Sequence, residues 1–186
     1  MTTTLTRLPL VDPATATGPA KTLLDGIAKS VGFVPNFLQA VAASPAALGA
    51  YLNYDGKLQT GALDKKTAER IALVLAETNG CQYCVSAHTA MGANAGLTEE
   101  EILAARKGSA ADARSDAAVR FAKTVVENRG DVTTGELQEL RDAGFGDGEV
   151  IEIVAHIALH TFTNYVGKIG QIDIDFPEVA LLGSEG

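Results

Sequence analysis

The chain has 186 residues, of which 46% are hydrophobic and only 5% aromatic, with no tryptophan. A helical chain of this length buries roughly 70% of its unfolded surface as one domain, without disulfide staples. A net charge of −8 with no cluster of Lys or Arg argues against nucleic acid and anionic membrane as partners, and no apolar run approaches membrane-spanning length.

Residues 1–18 are rich in Thr and Pro without helical period and read as an N-terminal arm. Lys21 to Ser30 reads as a short amphipathic helix, and Val31 to Asn36 turns the chain into a second one over Phe37 to Ala43. Ser44-Pro45 is a start signal, serine as N-cap and proline at the first helical position, for a helix to about Leu58. Asp64 caps the next, which ends at the stop pair Asn79-Gly80. A helix carrying both cysteines follows over about 81–95. Thr98 and Thr133 have a glutamate three residues on, the capping-box spacing, and open helices of about 98–107 and 133–143. A longer helix at about 112–129 lies between them, and a last one runs from Glu149 to about Tyr165. Residues 171–186 read as a C-terminal arm whose apolar stretches, 172–176 and 179–182, would lie over the surface or cross to a neighbouring subunit. No strands are predicted. The expectation is an all-α, single-domain bundle of about eight helices over 19–170, flanked by the two arms.

Chemistry concentrates in Cys81-Gln-Tyr-Cys84-Val-Ser-Ala-His88, which holds the only two cysteines. On a helix Cys81, Cys84 and His88 fall on one face, with Cys84 and His88 one turn apart. A thiol thus has a base beside it and a second thiol behind it, the parts needed to form a thiolate and close a disulfide. Val85, Met91 and Ala95 share the stripe, so this face is expected to look inward. A helix N-terminus and a nearby imidazolium both lower a thiol pKa. The first favours Cys81 and the second Cys84, and the sequence leaves that contest open. Buried structural thiols are the plainest alternative. A structural zinc site would need a fourth ligand beyond the three this run supplies. The lone CxxC, with no apolar signal-peptide core in MTTTLTRLPLVDP, points to the cytosol.

A base works best when a third group orients it. Glu69 heads a stripe of small apolar residues, Ala72, Leu73, Ala76 and Gly80, and is the favoured partner for His88. An exposed helix-start charge beside Lys65 and Lys66 is its alternative. Glu77 shares a face with Arg70 and reads as a solvated ion pair. His156 and His160 are also one turn apart and could take a metal together, although Glu152 is too far along the helix to join both. Hydrogen bonds in a core or interface are the commoner fate of such histidines. Asn164 and Tyr165 are expected at a subunit contact rather than in a pocket.

Glu69-x11-Cys81-x2-Cys84-x3-His88 resembles the signature of the alkylhydroperoxidase D-like proteins of the carboxymuconolactone decarboxylase superfamily. Val34-Pro35-Asn36-Phe37, Phe162-Thr-Asn164-Tyr-Val and Asp175-Phe-Pro177 resemble words of its peroxidase-related branch, so the likeness spans about residues 20–177. It implies an all-helical fold, homo-oligomeric assembly, and a thiol peroxidase that needs no cofactor or metal. Cys84 would be peroxidatic, Cys81 resolving, and His88 with Glu69 the proton relay. The partners it implies are a hydroperoxide substrate and a dithiol reductant such as a lipoyl-bearing protein. Well-known members carry a histidine between the cysteines, where this chain has Tyr83. The other classes in play are a non-catalytic helical oligomer that senses redox state or binds metal, and a decarboxylase-like lyase.

Overall fold

The computed structural model describes residues 6–184; positions 1–5 and 185–186 of the two arms lie outside the described residues. Nine helices and no strand occur among them: α1 (Gly18–Val31), α2 (Asn36–Val41), α3 (Pro45–Leu58), α4 (Lys65–Thr78), α5 (Gln82–Asn94), α6 (Glu99–Lys107), α7 (Ala113–Glu127), α8 (Thr134–Asp142) and α9 (Asp147–Gly170). The start signals act as expected. Ser44 accepts from the Ala47 amide and Asp64 from that of Thr67, and Thr98 and Thr133 both close capping boxes.

Helix α4 is the axis. Every residue from Glu69 to Ala76 is buried, because α5, α6, α7 and α9 all pack on it. A helix enclosed in this way must be apolar nearly all round, and Ile71 to Ala76 satisfies that. Two apolar clusters flank it. One gathers α1, α2, α3 and α5 around Leu24, Phe37, Leu48 and Val85. The other joins α4, α7, α8 and α9 through Val74, Phe121, Leu140 and Ile153.

Both arms pack on the first cluster. Leu8, Leu10 and Val11 of the first arm, and Ile174, Phe176, Val179 and Leu181 of the second, lie against it, and Ile172 is buried within it. The second arm therefore spends its apolar stretches on its own chain. Arg106 donates to the Ala180 carbonyl and Val179 N–H to Ser86 Oγ, which pins it along α5 and α6.

Helix α9 runs five residues beyond the expected end at Tyr165. The added turn contains Gly167 and Gly170, poor helix formers in isolation, but both are buried and packed. Tertiary contact overrides propensity here, and it brings this end of α9 over the cysteines.

Candidate active site

The junction of α4 and α5 places the cysteines. Asn79 ends α4, and Gly80 follows at φ +66°, a left-handed conformation that suits glycine. Gly80 N–H bonds to Glu77 O and Cys81 N–H to Ala76 O, the two bonds of a Schellman motif. Lys168 from α9 donates to the Asn79 carbonyl at 2.6 Å and sets a cation at the negative end of α4. Cys81 is thus the last residue of one helix stop and the N-cap of the next helix. Its backbone is extended, and its Sγ accepts from the Cys84 amide at 3.3 Å. The sequence put Cys81 in the first turn; it stands one step earlier, where its sulfur takes an N-cap bond.

Cys81 and Cys84 are joined as a disulfide with Cα atoms 5.3 Å apart. They are 1% and 4% exposed. Gly167 of α9 lies directly over them: a β-carbon there would stand 2.8 Å from Cys81 Sγ and 3.5 Å from Cys84 Sγ. Cys84 Sγ is also 3.9 Å from Thr163 O, where a thiol could donate. Only a glycine lets the helix approach the bridge this closely, and no feature of the cysteine motif itself announces that.

His88 Nδ1 lies 2.9 Å from Glu69 Oε2, with both side chains largely buried. A carboxylate only accepts, so Nδ1 carries the proton and Nε2 is left as the basic nitrogen. The structure brings together Cys81, Cys84, His88 and Glu69. In this disulfide state no hydrogen bond joins His88 to either sulfur among the described residues.

Several neighbouring residues depart from the sequence expectation. Arg70 pairs with Glu101 instead of Glu77, and Glu77 pairs with Arg106; the Arg70, Arg106 and Glu77 side chains are nearly buried. Adjacent helices supply nearer partners than the same helix face does. Met91 is 39% exposed, because the inward stripe of α5 ends with its first turns. Glu152 accepts from the amides of Ala62 and Leu63, which occupies it away from the histidines. Asn164 is fully buried and accepts from Asn79 Nδ2 at 2.9 Å, whereas Tyr165 is half exposed. No group of three or more His, Cys, Asp or Glu side chains is placed to hold a metal ion among the described residues.

Tyr83, between the cysteines, faces the second arm. Its hydroxyl donates to Asp175 Oδ1 at 2.7 Å and accepts from the Phe37 amide at 3.3 Å, while Asn36 N–H donates to Asp175 Oδ2. Burial and the hydrogen bond to Asp175 raise the phenol pKa, so it stays a donor. The words around Asn36 and Asp175, far apart in sequence, meet through this one hydroxyl.

The fold and the site define an all-helical protein with a CxxC pair at a helix N-terminus beside a buried His–Glu couple. The sequence pattern of the Carboxymuconolactone decarboxylase family matches residues 42–128, which include all four candidate residues, and the resemblance to that superfamily holds. Solved structures share the fold. A peroxidase-related protein from Ralstonia eutropha JMP134, described as an alkylhydroperoxidase AhpD core, superposes with TM-score 0.82 at 24% identity, covering 91% of this chain and 92% of that one. A peroxidase-related protein from Silicibacter sp. TM1040 gives 0.80 at 21% identity, over 93% and 94% of the two chains. The debrominase Bmp8 gives 0.75 at 19% identity, over 94% of each. No curated protein matches the chain in sequence. No helix is long and apolar enough to cross a membrane among the described residues.

Proposed function

We propose that this protein is a thiol-dependent peroxidase, an oxidoreductase that reduces hydroperoxides through the Cys81–Cys84 pair. The observation that carries the reading is the disulfide itself, set one helical turn from a histidine whose orientation is fixed by a buried carboxylate. In the reduced protein Cys84 gives its proton to His88 Nε2, and the thiolate attacks a hydroperoxide oxygen. The S–O bond forms, the O–O bond breaks, and the alkoxide leaves with the proton held on His88. The Cys81 thiol then attacks the Cys84 sulfur; the S–S bond forms and the hydroxyl departs with the Cys81 proton as water. The sum is hydroperoxide plus dithiol giving alcohol, water and disulfide. A small dithiol of the lipoyl type resets the bridge by exchange.

Such a pair suits the reducing cytosol, where a CxxC cycles rather than staples. Homo-oligomeric assembly belongs to the same reading. The outer face of α9 exposes Ile151, Val154, Ala158, Phe162, Tyr165 and Ile169 in one stripe about 27 Å long, the kind of patch that marks an interaction surface.

The test is peroxide consumption with a dithiol donor, followed by single-turnover thiol oxidation. Cys84→Ser should abolish consumption, and Cys81→Ser should stop at one sulfenic acid per chain. His88→Ala should slow oxidation by roughly 100-fold or more, and Glu69→Gln by less, because the carboxylate acts only through the base. If Cys84→Ser remains reactive while Cys81→Ser does not, the N-cap sulfur is the nucleophile and the roles reverse.

A further inference from the structure

Beyond His88 the buried face of α9 carries two histidines that the cysteine chemistry leaves unused. The His160 ring meets the His88 ring nearly perpendicular, with centroids 4.9 Å apart. One turn back, the His156 ring stacks over His160 at 6.0 Å and 16° between planes. The two are 3% (His156) and 8% (His160) exposed. Among the described residues, both nitrogens of His156 and Nδ1 of His160 have no protein hydrogen-bond partner. Buried imidazole nitrogens are nearly always partnered, and where protein supplies nothing the partner is ordered water. Asp55 of α3 interacts electrostatically with both His156 and His88.

We propose that His160 and His156 continue the Glu69–His88 couple as a buried proton relay, passing protons through bound water along α9 to and from the cysteine site. The inference rests on reading Cys81–Cys84 as a redox-cycling pair, not on the identity of the oxidant. Cys81 and Cys84 are 1% and 4% exposed with Gly167 packed over them, so little water stands beside the sulfurs and a side-chain path for their protons is an advantage. A neutral imidazole can accept on one nitrogen while donating from the other, which is what such a path demands.

The surroundings keep these rings neutral. Burial drives the pKa of His156 down and that of His160 further down, and the charges of His88 and His156 add to the lowering at His160. Asp55, Glu152 and Glu69 pull His156 the other way. The Asp55 carboxyl is itself pushed up, mainly by burial. Tyr51 of α3 stays protonated because burial, with Asp55 and Glu69 nearby, raises its pKa. Thus the groups acting on the row are the carboxylates of Asp55, Glu152 and Glu69, a neutral phenol, and His88.

The experiment is reduction of the Cys81–Cys84 disulfide in the full-length protein by dithiothreitol, followed across the range in which imidazole titrates. Dithiothreitol closes its own ring, both protein thiols re-form, and the two protons of the reductant must reach two buried sulfurs. Each variant is compared with the wild type at the same pH, so the titration of the reductant cancels. His160→Phe keeps a ring against His88 but cannot carry a proton, and His160→Gln keeps hydrogen bonding without titration. Both should slow reduction about tenfold in the acid half of the range, a modest share of what general acid assistance is worth. His160→Ala vacates the space of the ring, and free imidazole should restore much of the rate in that variant. His156→Asn, a second site on the row, should show a smaller loss of the same kind.

A wild-type rate in His160→Gln, or a loss in His160→Ala that imidazole does not relieve, would overturn the relay. Should His160→Phe fail to fold, His160→Gln and His156→Asn decide alone. The same proteins are then offered a hydroperoxide. If the wild type consumes none while the dithiothreitol series shows loss and rescue, the peroxidase reading falls and the relay stands. If the wild type consumes peroxide and the histidine variants reduce normally, the relay alone falls.

Discussion

Replacing Gly167 with alanine puts a methyl group where the bridge already is. The new β-carbon would stand 2.8 Å from Cys81 Sγ, whereas unstrained contacts between nonbonded heavy atoms begin near 3.5 Å. About 0.7 Å must therefore be recovered. Neither side yields easily: one is the backbone of α9, and the other is a sulfur held by its partner three residues away and by the helix junction. Overpacking of this kind costs about 1–3 kcal/mol, and the better helix propensity of alanine returns about 1. The net expectation is a loss of roughly 1 kcal/mol in the disulfide form. With the bridge open, the Cys81 side chain can rotate away and most of the penalty is relieved. The propensity gain is common to both redox forms, so the shift toward the dithiol is set by the relieved penalty of about 2 kcal/mol, roughly 25-fold, since 1.4 kcal/mol is tenfold. Equilibration against a dithiothreitol redox buffer, with the dithiol fraction read by alkylation and mass spectrometry, measures the shift. Urea unfolding of both redox forms measures the stability change. A Gly167→Ala protein stabilised by about 1 kcal/mol in both forms would show that helix propensity wins and that the close approach of α9 is not a constraint.

Three other outcomes test the remaining structural claims. Tyr83→Phe removes the donor to Asp175 and leaves the Phe37 amide unpaired; it should cost about 1–3 kcal/mol and raise amide exchange in residues 172–182, with Cys84 reactivity unchanged. A large change in thiol reactivity would place the phenol in the chemistry instead. Because burial lowers the pKa of His160 well below 6.5, the unfolded chain binds a proton that the folded chain refuses between those two values. Stability is therefore full above about 6.5 and is lost as pH falls below it, at up to about 1.4 kcal/mol per pH unit; urea midpoints against pH should show this slope, and His160→Phe should flatten it. Ile169→Asp places a charge on the exposed stripe of α9 and should reduce the assembled mass by light scattering without lowering the melting temperature; a wild type already monomeric at micromolar concentration refutes the assembly.

The local signals in the chain are strong enough to set most of the architecture. Serine before proline at 44–45, aspartate at 64, the threonine–glutamate boxes at 98 and 133 and the Asn79-Gly80 stop act within a few residues. Backbone hydrogen bonding at a helix end is a short-range matter, so these signals are legible without any knowledge of packing. The cysteine motif is legible for the same reason, since i, i+3 and i+4 spacing on a helix fixes which side chains meet. Only the tertiary structure decides which distant groups share the site. Glu69 reaches His88 because α4 and α5 fold back at Gly80, and Gly167 reaches the sulfurs because α9 continues past Tyr165. His160 meets His88 across two helices, while Glu77 finds Arg106 in place of Arg70, and Tyr83 finds Asp175 in the arm. Each of these contacts depends on the angle and register of packed helices, a sum over many weak side-chain contacts that no short window of sequence contains.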